Sequence, residues 1–380
     1  MNRSNGIIVL EAKSLPMIYG PDELRDIADL VDLVAPPLTR EALYASPTIL
    51  KDVEVLFSGW GPPVVDAEFL SYAPNLKAIF YGAGSICSIV TEDCWDRGII
   101  VSSAYGANAV PVAEYTLASI LFSLKHAWRL SYEMRLQKRL VDREAAPGGY
   151  GSRVGLISLG AIGRRVLELL RPFDLKVAVY DPFLTPSKAE SLGVELLSLE
   201  EIFSTCDVVS LHTPLLEETE GMITGQHFKM MKQGATFINT ARGELIREME
   251  MLEVLAKRAD LQAILDVTTC EREETDSPLY SLPNIFVTPH ISGSSGTECR
   301  RMGRFMVDEC RRFLRGEPLK WQITRELAEQ SSHRPITSRP GLWVNAMTPH
   351  VTTGKKMWTS PDLKTAAKAV GANGAKLGAK

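Results

Sequence analysis

The 380-residue sequence lacks the long apolar runs of a membrane protein. No stretch reaches the roughly 18 uninterrupted apolar residues of a membrane-spanning helix. The short apolar run 6–10 is ended by Glu11 and Lys13, so we expect a first buried strand there rather than a signal peptide. Six cysteines occur with no C-x-x-C pair, which favours free thiols in a reducing cytosol and no metal site. These absences predict a cytoplasmic protein without a membrane partner.

The chain also lacks a strong excess of one charge. Its 42 Lys and Arg residues and 46 acidic residues give a net charge of −4, which argues against nucleic-acid binding by the body of the chain. A hydrophobic fraction of 45% is typical of a globular protein, and the length suggests two domains. The segment 331–380 differs, with eight basic residues and one acid, and we expect a mostly disordered basic tail.

Short apolar runs alternate with helical patterns along most of the sequence. Runs at 53–57, 76–80 and 98–101 predict strands in the first hundred residues. From 109 to 139 the spacing of apolar residues predicts one long helix with Pro111 in its first turn. The same kind of spacing predicts another helix over 297–315. Between these helices six apolar runs predict strands that alternate with helices, at 154–159, 177–180, 208–211, 236–238, 263–267 and 285–287. This alternation is typical of an α/β protein with a parallel, doubly wound sheet.

A glycine-rich segment, G-L-I-S-L-G-A-I-G at 155–163, follows the strand 154–159 and precedes a helix predicted to begin near Arg164. Such a turn lets backbone N–H groups and a helix N-terminus bind a pyrophosphate. We expect four residues of the turn to contact a dinucleotide: Gly160, Ala161, Ile162 and Gly163. The alternative is an ordinary tight turn between a strand and a helix.

Asp181 ends the next predicted strand, 18 residues after Gly163. A carboxylate at this place can accept hydrogen bonds from the adenosine ribose hydroxyls and repels a 2′-phosphate. No arginine follows closely, so the sequence favours NAD over NADP.

Three polar segments stand at the ends of later predicted strands and contain Arg242, Glu271 and His290. The carboxyl ends of strands in a doubly wound sheet meet at the ligand crevice, so these side chains could meet there. Reduction of a 2-keto acid needs a cation for the carboxylate, an acid that protonates the oxygen, and a carboxylate that orients this acid. Taken singly, the three could be a surface ion pair, a solvated loop acid and a strand-end hydrogen-bonding group.

Between residues 50 and 325 the sequence resembles the D-isomer-specific 2-hydroxyacid dehydrogenase family. The motifs that carry the resemblance are the glycine-rich turn 158–163, H-x-P-L at 212–215, N-x-x-R-G at 239–243, D-V-x-x-x-E at 266–271 and T-P-H at 288–290. The resemblance implies two Rossmann-like doubly wound domains. A substrate domain is expected from 1–105 and 291–330, and an NAD-binding domain from 106–290. It also implies a homodimer formed through a helix like 109–139.

The same resemblance implies roles for individual residues. Arg242, Glu271 and His290 would form the catalytic set. Further NAD contacts are expected at His212, Thr213, Thr240, Ala241, Asp266 and Gly293. The substrate carboxylate would be held by Arg242 and by backbone amides of a glycine-rich loop: Tyr81, Gly82, Ala83 and Gly84.

The sequence departs from the family pattern at four places. Ser158 stands where the first glycine is usual, Arg272 stands where a proline is usual, the loop 85–88 lacks the usual acidic end, and the tail after 330 has no counterpart. The tail leaves open a second function, an NAD(H)-sensing regulator that resembles corepressors of the same fold. Formate oxidation is less favoured, because no second histidine or glutamine set lies near 290–300. A C-terminal regulatory domain is not expected in the remaining 50 residues.

Overall fold

A computed structural model describes residues 3–143, 146–269 and 277–331. The chain divides into two compact units. The first contains the residues up to Ala109 together with those from Ser294, and the second contains Val110–Gly293. Each unit is built on its own sheet.

The strands and helices alternate along the chain. The strands are β1 Asn5–Val9, β2 Asp32–Leu33, β3 Val55–Ser58, β4 Ala78–Tyr81, β5 Ile100–Ser103, β6 Arg153–Ile157, β7 Lys176–Tyr180, β8 Glu195–Leu196, β9 Val208–Leu211, β10 Thr236–Asn239, β11 Gln262–Leu265, β12 Ile285–Val287 and β13 Gln322–Ile323. The helices are α1 Leu15–Ile18, α2 Pro21–Leu30, α3 Arg40–Ala45, α4 Ala67–Tyr72, α5 Glu92–Asp96, α6 Tyr105–Leu124, α7 Ala127–Gln137, α8 Ala161–Leu170, α9 Pro186–Leu192, α10 Leu199–Thr205, α11 Gly225–Met230, α12 Glu248–Lys257, α13 Cys299–Leu314 and α14 Arg325–Glu329.

The sheet of the first unit has the order β2-β1-β3-β4-β5-β13. All its pairs are parallel except β13 with β5. Every residue of β3 and β4 is buried, as expected for central parallel strands that are covered on both faces. Helix α13 covers one face, where Met302 and Met306 belong to the same apolar cluster as Phe57 and Phe80.

A buried carboxylate holds the last strand of this sheet in place. Glu309 of α13 is fully buried. Its side chain accepts hydrogen bonds from the backbone N–H groups of Lys320 at 3.2 Å and Trp321 at 2.9 Å, and it is paired with Arg312. The Ser102 hydroxyl also lies 3.2 Å from the carboxylate and shares its proton between the carboxylate and the Trp321 carbonyl, at 3.0 Å. The four donors satisfy the charge and join α13, β5 and the segment before β13.

We expect Glu309→Ala to lower the free energy of unfolding of this unit by about 3–5 kcal/mol, because it leaves buried donors and a partly buried guanidinium without their acceptor. Calorimetric unfolding measures the loss. Glu317→Ala, which removes an exposed carboxylate 3.7 Å from Arg315, is the matched control and should change little. Equal effects of the two substitutions would contradict this account of Glu309.

The sheet of the second unit has seven parallel strands in the order β12-β11-β10-β9-β6-β7-β8. The strand order reverses between β6 and β9, and ligands of such sheets bind outside the carboxyl ends at that place. The predicted α/β class is confirmed, and the bounds predicted for β9 and β12 are the observed ones.

The single helix predicted over 109–139 is wrong. The structure has α6 and α7, separated at Lys125 and His126. His126 has a left-handed backbone, with φ of 49°, and its Nε2 lies 2.9 Å from the carbonyl oxygen of Gly234. This buried contact redirects the chain, and the apolar periodicity does not record it. Because α6 begins at Tyr105, Pro111 lies inside the helix rather than in its first turn.

Helix α6 is long and apolar enough to span a membrane by length and composition. In the structure 61% of the apolar 18-residue stretch of this helix is buried inside the protein, as in the core helices of globular domains.

Candidate active site

The glycine-rich turn joins β6 to α8, which begins at Ala161 rather than near the predicted Arg164. A Cβ atom on Gly160 would meet no heavy atom within 4 Å, so this position borders open space that a ligand can approach. A Cβ atom on Gly163 would lie 2.2 Å from the carbonyl oxygen of Ser158, so the packing of helix on strand requires glycine there. The two glycines therefore have the separate roles expected of a dinucleotide-binding turn.

The first turn of α8 offers donors to an anion. The N–H groups of Ala161, Ile162 and Gly163 precede the first intrahelical bond, in which the Arg164 N–H donates to the carbonyl of Gly160 at 3.1 Å. No acidic side chain lies in this turn. With the positive end of the helix dipole, these amides fit a pyrophosphate.

Asp181 lies at the end of β7, directly beside the turn. Its Oδ2 accepts the Leu159 N–H at 2.8 Å, and its Oδ1 accepts the Phe183 N–H at 2.9 Å. The carboxylate therefore stabilises the turn through these two hydrogen bonds. It retains lone pairs that can accept hydrogen bonds from ribose hydroxyls.

We expect NADH to bind more tightly than NADPH, and Asp181→Ala to narrow the ratio of the two dissociation constants by at least about tenfold, since a 2′-phosphate no longer faces a carboxylate. Fluorescence titration with both dinucleotides measures the ratio. Asp181→Asn also removes the charge but keeps one acceptor for the turn, so it should narrow the ratio as well and separates the effect of charge from that of the hydrogen bonds. Tighter binding of NADPH by the unaltered protein would contradict the assignment.

Ser158 occupies the turn with its backbone in the left-handed conformation. Its φ is 75°, a conformation that costs a non-glycine residue about 1–2 kcal/mol. The Ser158 hydroxyl lies 2.8 Å from that of Thr213, which follows β9. The serine thus joins the segments after β6 and β9, where the strand order reverses.

His212 is buried at the same place. Its Nε2 lies 3.0 Å from the Ser210 hydroxyl, and its backbone N–H donates to the Ile157 carbonyl at 2.9 Å. Burial lowers the pKa of His212 to about 4, so its imidazole is neutral at physiological pH. Nδ1 is buried and has no hydrogen-bond partner among the described residues.

The segment after β10 is shaped by Asn239. Its Nδ2 donates to the Arg242 carbonyl at 2.8 Å, and its Oδ1 accepts the Ala241 N–H at 2.9 Å. Arg242 is half-buried, and its Nη1 donates to the Ala241 carbonyl at 2.6 Å. Thr240 is buried, with its hydroxyl 3.3 Å from that of Thr116.

Gly243 completes this segment. A Cβ atom there would lie 2.0 Å from the carbonyl carbon of Thr268, which follows β11. Glycine lets the two segments touch, and this contact explains the glycine of the N-x-x-R-G motif.

Asp266 holds the loop that contains His290. Its Oδ1 accepts the Thr288 hydroxyl at 2.6 Å and the Ile291 N–H at 2.8 Å, and its Oδ2 accepts the Ser292 N–H at 2.8 Å. Its backbone carbonyl accepts the His290 N–H at 3.0 Å. The buried carboxylate is thus an anchor for the residues around the candidate acid.

His290 has a left-handed backbone, with φ of 53°, and the residue is exposed to solvent. Gly293, expected to touch the cofactor, ends the same loop and is half-buried. Glu271 and Arg272 lie outside the described residues. The structure therefore places Arg242 and His290 after β10 and β12 of one sheet and leaves the predicted carboxylate undescribed.

The expected substrate loop belongs to the first unit and follows β4. The Gly82 N–H donates to the Ser58 carbonyl at 2.8 Å, and the Ala83 N–H donates to the Tyr81 carbonyl at 2.8 Å. The Gly84 carbonyl accepts the Ser103 hydroxyl at 3.0 Å. Two of the amides expected to bind a carboxylate are thus engaged within the protein.

Sequence reasoning missed the roles of Asn239, Thr288 and Tyr115. The first two stand inside recognised motifs, so their positions were a usable signal. Tyr115 lies in α6, and its hydroxyl is 2.8 Å from that of Thr288, 173 residues away. No local pattern reveals such a contact.

Comparisons with known proteins identify the relatives of this chain. Residues 117–292 match the profile of a family described as D-isomer specific 2-hydroxyacid dehydrogenase, NAD binding domain. The chain is 34% identical over 244 residues to a putative 2-hydroxyacid dehydrogenase of Bacillus subtilis, YoaD, a match that covers 61% of this chain and 68% of that protein. It is 32% identical over 287 residues to the D-3-phosphoglycerate dehydrogenase of Methanocaldococcus jannaschii, covering 75% of this chain and 53% of that protein.

The chain spans about half the length of the phosphoglycerate dehydrogenases it matches, 48% for that of Mycobacterium bovis. Among solved structures, the TT0316 protein of Thermus thermophilus has a TM-score of 0.66 at 27% identity, covering 84% of this chain and 100% of that chain. A D-lactate dehydrogenase of Treponema pallidum shares the fold, with a TM-score of 0.68 at 24% identity and coverage of 84% and 99%. From its motifs, its fold and these relatives, the chain belongs to the D-isomer specific 2-hydroxyacid dehydrogenase family.

Proposed function

We propose that this chain is an NAD-dependent oxidoreductase that reduces a small 2-keto acid to a D-2-hydroxy acid, or catalyses the reverse. The observation that carries the proposal is that three features of the site lie at the same edge of one parallel sheet. The glycine-rich turn follows β6, Arg242 follows β10 and His290 follows β12, all at carboxyl ends. A dinucleotide site and two groups suited to a keto acid thus lie on the same side of one domain.

The residues present fit NAD. Gly160 borders open space, and α8 begins with N–H groups that precede the first intrahelical hydrogen bond. The Asp181 carboxylate lies beside the turn. When bound, NADH supplies the hydride of the reduction.

The side chains of this chain supply the rest of the chemistry. Arg242 would bind the substrate carboxylate and draw charge from the keto oxygen, because its guanidinium is always charged and offers paired donors. His290 would give a proton to that oxygen, because an imidazole can carry a proton near neutral pH. Glu271 would orient the imidazole and stabilise its protonated form.

The substrate loop would contribute through Gly84. Because the Gly82 and Ala83 amides are engaged, we assign carboxylate binding in this loop to the amide of Gly84, where a Cβ atom would make only one contact, at 3.6 Å with Asn108. The loop 85–88 carries no charged side chain, which supports an uncharged substituent on the acid.

A panel of acids tests the activity. Glyoxylate, hydroxypyruvate, pyruvate and longer 2-keto acids are supplied with NADH, and 3-phosphoglycerate with NAD, while NADH absorbance is followed. We expect NADH loss with at least one unphosphorylated acid, and a D-configured product by chiral chromatography. Turnover of 3-phosphoglycerate alone would contradict the proposed substrate class, and turnover of none would contradict the activity.

We also propose a homodimer formed through α6 and α7 in the cytoplasm. Large apolar side chains are exposed in and after these helices, at Phe122, Tyr132, Met134, Leu136 and Leu140. Phe122 also lines a groove of about 400 Å³ at the junction of the two helices, together with Leu121 and Ala127. So much exposed apolar surface is typical of an interface. The five described cysteines are free, in keeping with a reducing compartment.

Sedimentation velocity tests the dimer. We expect the unaltered protein at twice the chain mass and Leu136→Glu at the mass of one chain, because a buried, unpaired carboxylate opposes association. Phe183→Glu, which changes an exposed aromatic residue outside these helices, is the control and should remain dimeric. A monomeric unaltered protein would contradict the assignment.

A further inference from the structure

A chain of three side chains leads from α6 to the loop that contains His290. The Tyr115 hydroxyl lies 2.8 Å from the Thr288 hydroxyl, which donates to Asp266 Oδ1 at 2.6 Å. A threonine hydroxyl has one proton, and here Asp266 receives it. Tyr115 must therefore be the donor to Thr288, so the hydrogen bonds run in one direction from the phenol to the carboxylate.

The protonation of Tyr115 agrees with this direction. Burial raises the pKa of the Tyr115 phenol above its usual value, and the nearby Asp266 carboxylate raises it further. The phenol therefore keeps its proton and remains a donor. Hydrogen bonds in such a chain polarise one another, so the first supports the second.

The far end of the chain fixes the backbone around His290. The Asp266 carboxylate accepts the N–H groups of Ile291 and Ser292, and the Asp266 carbonyl accepts that of His290. His290 is held at φ of 53°, which histidine adopts only where its surroundings impose it. The Ile291 and Ser292 amides bound to the Asp266 carboxylate, and the His290 amide shared between the Asp266 carbonyl at 3.0 Å and the Thr288 carbonyl at 2.9 Å, impose it here.

We propose that Tyr115 is a positioning residue, which acts through Thr288 and Asp266 to hold the loop of His290 in its left-handed conformation. The catalytic part of this proposal rests on the proposed function, in which His290 is the proton donor. The effect of Tyr115 is to keep the Asp266 carboxylate aimed at the loop.

Amide hydrogen exchange tests the positioning without any substrate. In Tyr115→Phe and Thr288→Val we expect faster exchange in the peptide covering residues 289–293, and unchanged exchange in the strand β6. Thr288→Ser keeps the hydroxyl and should restore the protection. Tyr150→Phe removes an exposed phenol, 89% accessible, and is the matched control. Unchanged exchange at 289–293 in both variants, or a uniform rise over the whole domain, would overturn the proposal.

Steady-state kinetics tests the consequence for turnover. We expect Tyr115→Phe to lower kcat about 3- to 10-fold and Thr288→Val to lower it more, with the KM for NADH unchanged and with recovery in Thr288→Ser. Faster exchange with undiminished kcat would overturn the catalytic part. If the unaltered protein reduced no acid, the proposed function would fail while the exchange experiment still decided the role of Tyr115.

Discussion

His290→Ala should lose at least about 100-fold in kcat on the best keto acid of the panel, because a positioned proton donor is worth about 10²–10⁴-fold. The binding of NADH should survive, since the turn after β6 and the bracing carboxylate of Asp181 are untouched. Stopped-flow turnover and fluorescence titration measure the two quantities on the same preparation.

The left-handed backbone of His290 calls for a second variant. Alanine is strained at φ of 53°, whereas asparagine adopts this conformation readily. His290→Asn therefore removes the proton donor with little strain, and we expect a similar loss of kcat. Near-normal turnover in the asparagine variant would refute the assignment and would favour the regulatory, corepressor-like function.

Arg242→Ala should lower kcat/KM for the keto acid by about 100-fold or more, the usual cost of removing a donor that stabilises developing charge on an oxygen. Binding and turnover should suffer together, because one guanidinium serves both the carboxylate and the keto oxygen. Arg242→Lys should recover only a small part, since an ammonium lacks the paired donors. Steady-state kinetics over a range of keto-acid concentrations separates the effects on kcat and KM.

The same part of the domain offers a control for Arg242. Arg247 is exposed, its guanidinium bonded to Glu250 at 3.3 Å and to the Gly221 carbonyl at 3.2 Å. Arg247→Ala should leave kcat/KM within about twofold, since exposed ion pairs contribute little. If both alanine variants lost activity equally, the effect would belong to the fold of the segment rather than to Arg242.

Much of the NAD-binding domain could be predicted because its signals are local. Six short apolar runs became six of the seven strands of its sheet, and the missed strand, β8, has only two residues. The glycines at 160 and 163 follow from backbone rules that a sequence displays directly. Motifs of five and three residues, N-x-x-R-G and T-P-H, also placed Arg242 and His290 at strand ends.

The remaining features depend on contacts between distant residues. The break between α6 and α7 lies at His126, whose imidazole contacts the Gly234 carbonyl. The spacing of apolar residues continues across the break as in an uninterrupted helix. The engagement of the Gly82 amide depends on Ser58 of the neighbouring strand β3. Such pairings are set by the packed fold, so a pattern read along the chain cannot contain them.

The most direct test of the central claim follows an isotope. The best keto acid of the panel is reduced with NADH that carries deuterium at the transferable position of the nicotinamide, and the product is analysed by mass spectrometry and NMR. The account predicts a D-2-hydroxy acid with one deuterium at C2, and loss of this product in His290→Asn. A product without deuterium at C2, or undiminished formation of the labelled product in His290→Asn, would contradict it.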